Sequence, residues 1–203
     1  MRSRTYTSSK LRNRASSLGT IASALLTVLT LLSTTAIIAP SIAKAEVFLA
    51  QDEALEAAFG KGATTTPKTV MISSEQQAQI EELSQCQLTS GIFHYYEGRK
   101  DGELLGYAVI DSRIMRTNLA IFMVVTSKDF VIEKVVLLAF HEPAEYQPTD
   151  EWLKLMEGDR LMGDLVPGQG LPPIAGSTLT VNGLSDGVRA IRASFEVLMK
   201  GAQ

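Results

Sequence analysis

The 203-residue chain has one cysteine, Cys86, and two histidines, His94 and His141. A single cysteine excludes a disulfide framework, a CxxC redox motif, c-type haem attachment and a Cys-rich structural zinc site. Only these two histidines are available to a zinc hydrolase, and its motif is broken: His141-Glu142 opens like HExxH, but Glu145 stands where the second histidine must be. No GxSxG elbow is present, so nothing supports a Ser/His/Asp hydrolase. Cys86 follows a polar helical stretch and reads as a partly buried, inert thiol, the alternative being a reactive thiol in an oxidising compartment.

The other scarcity is positional. The net charge of −3 hides a leader without a single acidic residue: all 22 Asp and Glu lie at or beyond Glu46. Arg2, Arg4, Lys10, Arg12, Arg14 and Lys44 precede it, which leaves residues 46–203 with 13 Lys and Arg and a charge of −9. An acidic body is a poor polyanion binder, and no nucleic-acid partner is expected. The leader has five positive charges in 14 residues, an uncharged apolar run from Leu18 to Ala39, a helix-breaking Pro40, and Ala43-Lys44-Ala45. That order predicts an export signal over residues 1–45, cleaved after Ala45, and a periplasmic body. An uncleaved anchor is the competing reading, since about 20 apolar residues span a bilayer. Thr and Ser dilute the run, and the Ala-x-Ala favours removal.

In the body, Phe48 to Phe59 predicts a short amphipathic helix, with Asp52 and Glu53 in the first turn where the helix dipole favours them. Gly60 to Pro67 reads as a linker and Val70 to Ile72 as a strand. Ser73 or Ser74 caps a helix through Leu83, with Gln76 or Gln77 at the third position. Residues 46–90 thus read as a helical N-terminal segment, and residues 91–203 as the domain core. From Gly91 the period changes to two: 91–96, 104–111, 120–126 and 131–140 are Val-, Ile-, Tyr- and Phe-rich, separated by turns over 98–102, 112–118 and 127–129. Thr149 caps a short helix to Glu157, Gly158 to Pro173 is an irregular loop, and a final helix from about Ser185 to Met199 carries a stripe of Leu184, Val188, Ile191, Phe195 and Leu198. The fold expected is α+β: one antiparallel meander of four to five strands with packed helices, the last following a loop.

That loop holds the chemistry. Ala175-Gly176-Ser177-Thr178-Leu179-Thr180 places a glycine and three hydroxyls just before a helix, where free N–H groups and the positive dipole end attract phosphate. A small-residue turn before a helix is the commoner origin of such a string. The segment resembles the flavinylation motif of FMN-binding domains, found in the C subunit of sodium-pumping NADH:quinone reductase and the G subunit of the Rnf complex. There Ser/Thr-Gly-Ala-Thr-x-Thr/Ser carries FMN as a phosphoester on its Thr, which corresponds to Thr178 here. Leu105-Gly106-Tyr107-Ala108, Val136 to Pro143 (VLLAFHEP) and Trp152 also resemble that domain, and Val47 to Leu55 resembles the start of its stand-alone exported subgroup. The chain departs from the motif at Ala175 and Ser177, and Ala144-Glu145-Tyr146 replaces the family's Gly-Leu-Gly.

The resemblance implies an exported electron-transfer protein with FMN attached through Thr178 by a magnesium-dependent flavin transferase using FAD, and a membrane-bound or exported redox partner. Gly176, Ser177, Leu179 and Thr180 would surround the phosphate. His141, Glu142, Tyr146 and Trp152 are the candidates for the isoalloxazine, aromatic faces stacking on the ring and polar groups tuning it; otherwise they are a strand end and a half-buried aromatic pair. No catalytic residue and no metal ligand is expected. The altered Ala175 and Ser177 favour a second reading, a non-redox exported binding or assembly module of the same fold without flavin.

Overall fold

The computed structural model describes residues 46–47 and 49–200, and the leader expected over 1–45 lies outside them. Among the described residues no helix is long and apolar enough to cross a membrane. The strands are β1 (Glu46–Val47), β2 (Thr64–Met71), β3 (Ile92–Lys100), β4 (Glu103–Ile114), β5 (Leu119–Ser127) and β6 (Ile132–Phe140); the helices are α1 (Gln51–Phe59), α2 (Ser74–Ser84), α3 (Asp150–Lys154) and α4 (Thr178–Phe195). The expected α+β meander is present: β2 to β6 form one open antiparallel sheet in chain order, and the two-residue β1 adds to β6, giving β1-β6-β5-β4-β3-β2.

Alternation of side chains divides the sheet into two apolar faces. Tyr107, Val109, Phe122, Val124 and Leu137 pack with Ile80 of α2, Trp152 and Leu153 of α3 and the apolar stripe of α4. On the other face Ala108, Met123, Val125 and Leu138 pack against Ala54, Leu55 and Phe59 of α1. Residues 46–90 therefore hold two strands of the sheet as well as α1 and α2, and they belong to the same fold as the core.

Among the boundaries that differ from the sequence reading, three matter most. The linker expected over 60–67 gives way to β2 at Thr64; Pro67 is tolerated because β2 is an edge strand, paired only with β3. The turn expected over 98–102 shrinks to Asp101-Gly102, both at positive φ, the Asp-Gly signature of a tight hairpin. Gly98 is part of β3, paired with Thr65 and Gly106, and no side chain would fit there because Phe59 lies 2.3 Å from where its Cβ would stand. The final helix begins at Thr178, not near Ser185, so Thr178 is its first residue.

α2 is capped as its sequence demands. Ser73 Oγ accepts the Gln76 N–H at 3.2 Å while Gln76 Oε1 accepts the Ser73 N–H at 3.0 Å. Ser73→Ala is expected to cost about 1 kcal/mol, read as a lower urea midpoint at unchanged slope; an unmoved midpoint would mean that the box contributes nothing.

Candidate functional site

The start of α4 is built by the loop before it. After Pro172-Pro173, Gly176 takes a left-handed φ of 82°, the Ser177 N–H donates to Ile174 O at 3.1 Å, and the Val181 N–H opens the helix on Ser177 O at 3.0 Å. Ser177 occupies the N-cap position but makes no capping bond. Its side chain is 1% exposed and donates instead to the carbonyl of Glu145 at 3.4 Å. The N–H groups of Thr178, Leu179 and Thr180 consequently have no carbonyl partner among the described residues. Unlike α2, this helix keeps its positive end open.

The three hydroxyls of the motif have different surroundings. Thr178 is exposed. Thr180 is fully buried, and its Oγ1 has no hydrogen-bond partner among the described residues. Leu179 is 54% exposed beside Thr178, an apolar side chain in water at the mouth of a polar turn.

A second segment reaches this turn from β6. Glu142, 7% exposed, directs its carboxylate into the β4–β5 hairpin loop, where Oε1 accepts the backbone N–H groups of Arg116, Thr117 and Asn118 at 3.0, 2.6 and 2.7 Å. Oε2 meets Asn118 Nδ2 at 3.4 Å. Burial pushes this carboxyl upward, but the three backbone donors and the Asn118 amide outweigh it, and the net displacement is below the ordinary glutamate value. The clamp presents the Arg116 guanidinium 4.1 Å above the centre of the Tyr146 ring. Two tethers bring this pair toward α4. Glu145, next to Tyr146, receives the Ser177 hydroxyl, and Met115, next to Arg116, places its sulfur 2.6 Å from where a Cβ of Gly183 would stand, in the second turn of α4.

The lowered carboxyl of Glu142 makes an acid prediction. A carboxyl depressed in the folded state stabilises the fold fully above the unfolded glutamate range, and that stabilisation is lost as pH falls through that range and below it. Wild type is expected to melt above Glu142→Gln near neutrality, and the gap should close on acidification from the range of a free glutamate downward; a gap independent of pH would show that the charge on Glu142 is not what holds the loop.

The residues expected to meet the ring are not all together. Glu142 and Tyr146 stand by the hairpin loop as described. Trp152 is 5% exposed within the core of the α4 face, and its indole N–H donates to Pro172 O at 2.8 Å, so it braces the loop leading to α4 from beneath. His141 lines a hollow of about 470 Å³ on the opposite, α1 face with Leu49, Ile110, Ile121 and Leu138. Arg116 and its loop were not singled out by sequence reasoning, because no spacing rule links positions 26 residues apart.

Open N–H groups, an exposed hydroxyl and a glycine with free space around it suit a phosphate ester at Thr178. For the ring, Tyr146 with its guanidinium offers a planar surface, whereas Trp152 does not. Among known proteins, no family model and no curated protein matches this chain.

Proposed function

We propose that this chain is an exported electron-transfer protein that carries FMN covalently on Thr178. The observation that carries the reading is the different exposure of three hydroxyls within four residues: Thr178 is open at an uncapped helix start, while Ser177 and Thr180 are buried. A transferase can reach one of them only. The Thr178 oxygen would form a bond to the FMN-side phosphorus of FAD as the pyrophosphate linkage breaks; AMP leaves, and the hydroxyl proton passes to a base of the magnesium-dependent transferase.

When bound, FMN supplies the electron-accepting ring. The chain's own residues hold it: the N–H groups of Thr178, Leu179 and Thr180 face the phosphate, and Gly176 lets the backbone approach it. The acidic body, at −9 before any phosphate is added, suits a basic surface on a membrane-bound or exported redox partner in the periplasm.

The test is co-expression of the full chain with a flavin transferase, followed by fluorescence in a denaturing gel and intact mass. A fluorescent band heavier by FMN minus water is expected. An unmodified, non-fluorescent chain would sink the reading and leave the second one, a non-redox module, which Ala175 and Ser177 favour because both depart from the resembled motif.

A further inference from the structure

We infer that Arg116 is the cation that contacts the isoalloxazine ring and raises its reduction potential, an inference that rests on the flavin reading above. The guanidinium is exposed and pairs with no carboxylate among the described residues, unlike Arg99, Arg113, Arg189 and Arg192. It is nevertheless held in place. The Arg116 N–H is fixed by Glu142 at 3.0 Å, and its planar head lies on Tyr146. A surface arginine with a tethered backbone and a head held over a ring loses less freedom on binding than a free one.

Its position is beside the attachment turn: Glu145, next to the Tyr146 that carries the guanidinium, receives the hydroxyl of Ser177, the residue before Thr178. Tyr146 and the guanidinium above it offer a planar ring a surface beside that turn, and a positive charge beside the ring favours electron uptake by simple Coulomb attraction. Glu142 is the positioning residue: it touches no ring but fixes the loop that carries Arg116.

Spectroelectrochemical titration of the full flavinylated chain tests this. Arg116→Gln is expected to keep the fluorescent band and to shift the midpoint potential downward; Arg116→Lys should keep the band and shift it less. Glu142→Ala removes a negative charge, which alone would raise the potential, so a fall in that variant is the signature of a displaced arginine. Full labelling of Arg116→Gln with an unchanged potential would overturn the inference and leave the flavin reading standing. Labelling lost in Arg116→Gln but kept in Arg116→Lys would assign Arg116 to recognition by the transferase and would also overturn it. A wild-type chain that takes no flavin would sink both.

Discussion

Thr178→Ala is expected to abolish covalent flavin labelling, whereas Ser177→Ala leaves it. The two hydroxyls are neighbours in sequence, and the motif's substitution of Ser for Ala at 177 makes both chemically eligible. Their environments separate them. Ser177 is 1% exposed and already donates to Glu145, so esterifying it would bury a charged phosphate and break that bond, a cost of several kcal/mol. Thr178 is exposed and starts a helix whose first N–H groups have no partner among the described residues. Complete loss of the fluorescent band and of the mass increment in Thr178→Ala is the outcome to look for. Loss in Ser177→Ala alone would move the attachment point and mean that the turn opens before modification.

Phe195→Ala should cost about 3–5 kcal/mol, the largest destabilisation expected of a single truncation in the described core. Phe195 is fully buried near the end of α4 and meets four rings, Phe93, Tyr95, Tyr107 and Phe130, at centroid separations of 5.1, 5.8, 5.4 and 5.2 Å. Those rings come from β3, β4 and the loop before β6, so the cavity would open where α4 joins the sheet. The surrounding side chains are large and rigid and can close it only in part. Thermal and urea unfolding measure the loss, and Phe195→Leu should recover much of it. A drop below about 1 kcal/mol would mean that the cluster repacks freely.

The parts of the fold that were legible were those governed by local rules. The period-two runs became β3 to β6, and Ser73 with Gln76 announced the start of α2 because a capping box needs only four residues. The start of α4 was not legible. Thr178, Thr180, Val181, Asn182 and Gly183 are poor helix formers, so local propensity argued for a loop up to Ser185. Packing decides otherwise, because Val181 and Leu184 are buried in the core and Gly183 fits against Met115. β2 was half-legible: Pro67 and a run of threonines look like a linker unless the strand is known to lie at an edge.

In the candidate site, the hydroxyl turn was readable from its composition, but the difference in burial between Ser177 and Thr178 was not, because it depends on the carbonyl of Glu145, 32 residues away. The Glu142 clamp was hidden for the same reason. A single glutamate after a strand carries no signal of the three backbone N–H groups it will meet.

The edges of the sheet bear on how the chain avoids pairing with copies of itself while it folds. One border, β2, offers an incoming strand Pro67, which has no N–H to give, followed by Lys68, whose ammonium would have to be dehydrated. The opposite border, β6, is partly closed by β1, and Gly158 and Leu49 take up the carbonyls of Ile132 and Leu138. Cross-chain pairing would have to start on a blunted rim or displace bonds the chain already makes to itself, which biases the folding polypeptide toward solitary folding over aggregation.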